Sequence, residues 1–208
     1  MDALKADTEN QVGRFPTCIE VGCGSGVILT YLATLLNGYA SRDSEGLFFG
    51  TDVNPFAARA ARQTLARNKV RCGDVVLTDL VEAMNTRLKS CVDVLLFNPP
   101  YVPTDPEEMK GSGISRAWAG CGKDGREVLD RLLPQLPALM SRNGVVYFVV
   151  LAANKPDDIA AIMDVQGFSC KVILQRKAGA ENLQIMRFHR SKPTTTSVTA
   201  ACLKSKPP

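Results

Sequence analysis

Glu20-Val21-Gly22-Cys23-Gly24-Ser25-Gly26 follows the apolar pair Cys18-Ile19 and runs into Val27-Ile28-Leu29. The pattern is a short strand that passes through a glycine turn into a helix. Glycines let a backbone approach a ligand closely, and the first turn of a helix offers N–H groups that lack intrahelical partners. The spacing is G-x-G-x-G, with Val27 standing where the dinucleotide fingerprint needs its last glycine. A nicotinamide reading loses ground on that count.

Outward from this turn, short apolar runs alternate with longer helical patterns, the arrangement expected of βαβ units on a parallel sheet. Strands are predicted at 18–21, 47–52, 75–78, 92–98, 144–151, 170–176 and 183–188. Helices are predicted at 27–36, at 57–67 with Asn54 as cap and Pro55 in the first turn, at 126–140, and at 156–166 ended by Gly167. The last two strands are close enough in sequence for an antiparallel hairpin around Gly179, whereas the others need crossovers. The expected architecture is α/β, a mixed seven-stranded sheet with helices on both faces.

The chain has 208 residues, 45% hydrophobic and 22% charged, which suits one domain over 1–190. Its apolar runs stay short of the ~18 residues of a membrane span, and its polar N-terminus does not read as a secretory signal. The formal charge of +4 is carried by Arg190, Lys192, Lys204 and Lys206, and the remaining 21 basic residues balance 21 acidic ones. A neutral body gives little support for nucleic-acid binding. Residues 191–208, rich in Ser, Thr, Pro and Lys, are expected to form a disordered tail.

The seven cysteines include no C-x-x-C pair, which argues against a metal site. Cys18, Cys72, Cys91 and Cys170 adjoin strand-like runs and read as reduced core residues, while Cys23 in the glycine turn and Cys121 in a loop read as the more exposed pair. His189, the only histidine, reads as a surface residue.

The residues that bear chemistry fall at predicted strand ends. Val92-Asp93-Val94-Leu95-Leu96-Phe97 closes on Asn98-Pro99-Pro100-Tyr101, a polar, carbonyl-rich turn where an open sheet binds ligands. It suits an acceptor bearing N–H groups, whether amine or amide. Glu20 and Asp52 end the first and second strands, and a carboxylate in the latter place can accept from ribose hydroxyls. Asp79, after the third strand, can accept from an adenine amino group while Leu80 packs the ring or donates its backbone N–H. The stretch 104–125 is long for a connection and carries Trp118, the only tryptophan, so it reads as a substrate-binding loop, with packing of the loop as the plainer role for Trp118.

Taken together, Glu20 to Gly26, Asp52-Val53-Asn54-Pro55, Thr78-Asp79-Leu80 and Asn98-Pro99-Pro100-Tyr101 resemble the motif set of HemK-type class I S-adenosylmethionine-dependent methyltransferases, a Rossmann-like fold. Gly113-Ile114-Ser115-Arg116-Ala117-Trp118-Ala119-Gly120 and Gly125-Arg126-Glu127-Val128-Leu129-Asp130-Arg131 are similar to the eukaryotic branch that methylates a glutamine of the translation termination (release) factor. The resemblance covers roughly residues 2–188. It implies S-adenosylmethionine held by Glu20, Gly22, Gly24, Gly26, Asp52, Asp79 and Leu80, with Asn98 also at the cofactor. It implies an acceptor held by Asn98, with Pro99, Pro100 and Tyr101 completing the catalytic turn, and a cytoplasmic location with the nucleus as a second one. It also implies a small zinc-binding activator protein paired with the third-strand edge, here Val75-Val76-Leu77, and poor solubility of the chain without it.

Two departures from the family pattern stand out. The family carries a segment before the first strand with a cofactor-contacting threonine, whereas Met1-Asp2-Ala3-Leu4 matches only that segment's end, so a shortened N-terminus and weaker cofactor affinity are expected. Cys121-Gly122-Lys123-Asp124 is one residue longer than the corresponding turn. Two other readings stay open at this stage. One is an adenine N6-methyltransferase, which presents the same pair of donors and in duplex DNA needs a flipped base. The other is a catalytically silent cofactor-binding subunit.

Overall fold

The structure is a computed structural model that describes residues 4, 16–39, 46–102, 122–178 and 181–191. Trp118, Cys121, most of the expected substrate loop and nearly all of the expected tail lie outside the described residues. In chain order the elements are β1 (Thr17–Val21), α1 (Val27–Tyr39), β2 (Leu47–Asp52), α2 (Pro55–Arg67), β3 (Gly73–Leu77), β4 (Val92–Phe97), α3 (Glu127–Leu132), α4 (Leu136–Leu139), β5 (Met140–Leu151), α5 (Pro156–Val165), β6 (Phe168–Ala178) and β7 (Glu181–Arg190).

The seven strands form one sheet in the order β3-β2-β1-β4-β5-β7-β6. β1 pairs in parallel with β2 and β4, β2 with β3, and β4 with β5, while β7 is antiparallel to both β5 and β6. The mixed sheet and C-terminal antiparallel pair are as expected. The chain steps from β1 to β2 and β3 on one side, then crosses back to β4 and β5 on the other. The reversal leaves a crevice beyond the carboxyl ends of β1 and β4, where open α/β sheets bind ligands.

Because successive side chains of a strand point to opposite faces, the strands feed two cores. Ile19, Val21, Leu95, Phe97, Val146 and Phe148 face Leu129, Leu132, Leu136, Ile159 and Met163 from α3, α4 and α5. Cys18, Val94, Leu96, Val145 and Tyr147 belong to the other core, with Leu29, Leu32 and Ala33 of α1, Leu65 of α2, and Leu4. α2 begins as its sequence requires: the Asn54 side chain accepts from Phe56 N at 2.9 Å, and Pro55 occupies the first turn. α5 is closed by Gly167, whose φ of 83° provides the left-handed turn.

The expected helix at 126–140 is broken. α3 stops at Leu132, a 3-10 turn spans Leu133–Gln135, α4 covers one turn, and Met140 already belongs to β5. Pro134 and Pro137 explain this, since each lacks the N–H that a continuous helix would use. The strands β5, β6 and β7 also run longer than their apolar cores suggest. Arg190, counted above with the basic tail, is the last residue of β7; its guanidinium lies 5.2 Å from the Phe168 ring centroid and donates to the Pro137 and Met140 carbonyls.

The cysteine assignments are partly reversed. Cys18 is buried, but Cys72 and Cys91 are exposed and Cys170 is half-buried, because the first two lie in the turns that lead into β3 and β4 and the third on edge strand β6. Cys23 is buried rather than exposed: its N–H donates to the Thr51 carbonyl at 2.9 Å and folds the glycine turn down onto β2. His189 is exposed, as expected.

The helices that flank the crevice meet at Gly26, where φ is 73° and an added Cβ would stand 2.8 Å from the Ala61 Cα. Gly26→Ala should therefore cost roughly 2 kcal/mol of unfolding free energy from strain and overpacking. Urea denaturation followed by circular dichroism tests this, and an unchanged midpoint would contradict so close an approach of α1 to α2.

Candidate active site

Strand register brings the expected residues to one level. Val21 pairs with Thr51 on one side and with Phe97 on the other, so Gly22, Asp52 and Asn98 each lie one residue beyond the same line. Asp52 in turn pairs with Leu77, which puts Asp79 at the end of the next strand. Separate turns of the sequence thus converge on the crevice between β1 and β4 and its extension over β2 and β3.

The glycine turn is built for close approach. Gly22, Gly24 and Gly26 all have positive φ. An added Cβ at Gly24 would meet nothing within 4 Å, so the turn offers bare backbone to open space. The Asp52 carboxylate is fixed by two backbone donors, Gly24 N to Oδ2 at 2.9 Å and Asn54 N to Oδ1 at 2.8 Å. Each carboxylate oxygen keeps a second lone pair, so the anchored group can still accept from a pair of ligand hydroxyls.

Glu20 is buried at 6% exposure, with Oε2 accepting from Leu29 N at 2.8 Å. Burial pushes its pKa up to about 8, opposed by that hydrogen bond and assisted by the nearby Asp52 charge. It lies at the wall of a cavity of about 270 Å³, together with Asn98 and Tyr101 and the apolar side chains of Ile28, Leu96 and Tyr147. Pro99 is buried and Pro100 half-buried, while Asn98 is exposed, so the two prolines seat the turn and leave the amide presented.

Asp79 and Leu80 depart in part from expectation. Asp79 Oδ2 is held by Arg131 of α3 at 2.5 Å, a guanidinium that also reaches Glu82 at 3.8 Å. Any ligand amino group at Asp79 shares that carboxylate with Arg131. Leu80 has a φ of 46°, and its side chain is buried in the core shared with α3, α4 and α5.

Residues 4–110 match the Methyltransferase small domain. The chain belongs to this methyltransferase family, in its HEMK2-type branch. It is 42% identical to human "Methyltransferase HEMK2" over 191 residues, covering 92% of this chain and 85% of that protein. It is 36% identical to the Schizosaccharomyces pombe "eRF1 methyltransferase catalytic subunit mtq2", with 91% and 84% covered. It is 30% identical to a "Putative protein N5-glutamine methyltransferase" of Methanocaldococcus jannaschii, with 83% and 80% covered. Among solved structures it superposes on the E. cuniculi Mtq2–Trm112 complex, described as responsible for methylation of the eRF1 translation termination factor, with a TM-score of 0.65, 26% identity and coverage of 91% and 92%.

Two residues of this HEMK2-type site escaped sequence reasoning. Arg131 bonds across 52 positions to Asp79, and only their opposite charges hint at it. Asn154 is buried at 1% exposure and bonds to Tyr101 and Asp124. Its one sequence signal is its place at the end of the fifth predicted strand, just before Lys155-Pro156.

Glu20 makes stability depend on pH. Its folded pKa of about 8 exceeds the reference value of 4.5, so between these limits the folded chain holds a proton that the unfolded chain has lost. The contribution is complete below the lower value and is lost as pH rises through the upper one, with a limiting slope of about 1.4 kcal/mol per pH unit. Glu20→Gln keeps an acceptor for Leu29 N and should flatten this slope. Denaturation of both forms at several pH values decides it, and parallel curves would refute the assignment.

Proposed function

We propose that this HEMK2-type chain transfers the methyl group of S-adenosylmethionine to the side-chain amide nitrogen of a glutamine in a translation termination factor. The observation that carries this reading is the register that sets the Asn98 turn level with the glycine turn and Asp52. The names of the relatives, with their eRF1 and glutamine substrates, support the choice of acceptor. In this reading the work is done in cytoplasm, with the nucleus as a second location.

The residues fit the methyl donor. Gly22, Gly24 and Gly26 would offer backbone to its amino-acid end with Glu20 close by, Asp52 would accept from its ribose, and Asp79 and the Leu80 backbone would hold its adenine. When bound, the cofactor would supply an electrophilic methyl whose bond to sulfur breaks as the bond to nitrogen forms, with the neutral thioether as leaving group and one amide N–H proton released to water. The chain must supply a competent nitrogen, because a glutamine amide is a poor nucleophile whose lone pair is delocalised into its carbonyl. In this assignment Asn98 Oδ1 and the Pro99 carbonyl accept the two amide N–H groups, turn the nitrogen toward the methyl and favour the positive charge that develops there. Tyr101 packs beside the glutamine. Positioning and preorganised acceptors of this kind account for large rate enhancements without a strong base.

Asn98→Ala should reduce methyl transfer by about 100-fold or more while leaving S-adenosylmethionine affinity close to that of the parent. Calorimetry and labelled-methyl transfer, with termination factor and DNA as parallel acceptors, measure both. Full activity in the variant would remove Asn98 from the site, and labelling of DNA alone would move the acceptor to adenine.

The partner in this reading is a small zinc-binding activator that pairs with β3. The Mtq2–Trm112 likeness supports a small partner, and β3 is an edge strand on which Leu77 is 57% exposed and Val75 and Val76 are half-buried. An apolar edge needs cover. Coexpression with the activator should raise soluble yield and activity, and Leu77→Lys should weaken the complex without lowering the melting temperature of the free chain. Association unchanged by Leu77→Lys, measured by pull-down, would place the partner elsewhere.

A further inference from the structure

Asn154 lies where β5 gives way to α5, and every polar atom of its side chain is engaged. Oδ1 accepts from Leu151 N at 2.7 Å, which closes the strand's last turn on itself. Nδ2 donates to the Tyr101 carbonyl at 2.8 Å and to the Asp124 carbonyl at 2.8 Å, with Gly125 O at 3.5 Å. One buried amide thus spans three pieces of chain that are distant in sequence: the turn that ends β4, the approach to α3, and the exit from β5.

Neighbouring residues reinforce the same junction. Lys155, held at a φ of 52°, brings Nζ to 3.0 Å from the Asp124 carboxylate. Arg126 donates to the Asn154 carbonyl at 3.4 Å and pairs with Asp130 at 3.1 Å and Asp158 at 3.6 Å. The ion pairs at Lys155 and Asp158 are partly solvated and contribute little by themselves. The amide is different: Asn154 is itself buried, and removing its donors leaves the Tyr101 and Asp124 carbonyls, on half-buried residues, without the bonds it makes to them.

We infer that Asn154 is a positioning residue for the acceptor, acting through Tyr101 on the Asn98-Pro99-Pro100-Tyr101 turn. The inference rests on the methyl-transfer reading given above. Tyr101 lines the same cavity as Asn98 and Glu20, and it lies four residues past Phe97, where β4 ends. The two prolines restrict the turn but donate no N–H to the sheet. The Asn154 amide holds the far end of that turn together with the β-bridge at Val102, and β4 fixes the near end. The cofactor half of the crevice, built from β1 and β2, makes none of these contacts, so the effect of Asn154 belongs to the acceptor side.

Asn154→Asp is the selective test. It keeps an acceptor for Leu151 N but replaces both donated bonds by oxygen facing oxygen; Asn154→Ser provides a second, uncharged variant if the first fails to fold. In the complex with the activator, kcat should fall by about 10- to 100-fold, as a displacement of roughly 1 Å at a reacting group predicts, with a higher KM for termination factor and an unchanged Kd for S-adenosylmethionine. Hydrogen exchange should quicken in peptides covering 98–102 and 122–126 and stay at the parent rate in β1 and β2. Parent values of kcat and KM, unchanged exchange in those two peptides, or loss of cofactor affinity in step with kcat would each overturn the inference. A parent complex that methylates no termination factor would strike the methyl-transfer reading instead, and the exchange and cofactor measurements would still decide whether Asn154 holds the turn.

Discussion

The site depends on one constraint: β1 is hydrogen-bonded in parallel on both sides. With Glu20 level with Gly50 on one flank and Leu96 on the other, the residues that follow in all three strands must emerge together. A slip of one residue would turn every side chain of the strand to the opposite face, exchanging Ile19 and Val21 of one core with Cys18 and Glu20 of the other. The two cores that hold the register therefore also hold the relation between the glycine turn, Asp52 and Asn98.

That constraint explains why so much of the fold is readable from the chain. The glycine turn, the Asn54-Pro55 start of α2, the Gly167 stop of α5 and the Asn98-Pro99-Pro100 ending of β4 are local features, each decided by a few adjacent residues. What escaped is non-local or conditional. The helix expected at 126–140 carried the right apolar spacing, and its leucines do reach the core, but Pro134 and Pro137 divide the path that takes them there. Cys72 and Cys91 adjoin strands yet sit in turns, and adjacency to an apolar run does not say on which side of the last hydrogen bond a residue falls. The Arg131–Asp79 pair and the Asn154–Tyr101 bond join residues 52 and 53 positions apart, which no short window along the sequence can contain.

The electrostatics of the crevice follow from the same geometry. Glu20 and Asp52 end neighbouring strands, but Glu20 is buried whereas Asp52 is half-exposed and receives two backbone N–H groups. Burial raises the pKa of Glu20, and the nearby Asp52 charge adds to that rise. The buried one costs stability when it ionises, and a cationic ligand group placed beside it would relieve that cost. Carboxyls perturbed in this way are frequent where charged ligands bind.

The proposed division of the site into a cofactor half and an acceptor half has a structural basis. The cofactor half is made from strand ends and helix starts whose positions are set by the sheet, and its key carboxylate is held by backbone groups only a turn away. The acceptor half extends beyond the sheet: past Phe97 the chain leaves the ladder, and prolines cannot rejoin it. Precision there must come from a side chain that reaches in from elsewhere. The end of β5 lies on that side of the turn, because β4 pairs with β5 up to Phe97 and Phe148, and an amide just past that end has both the donors and the reach. A hydroxyl would be too short and a carboxylate would carry the wrong sign for two carbonyls. The chemistry of the junction therefore selects asparagine, and the orientation of the acceptor turn is set by the strand beside it as much as by its own sequence.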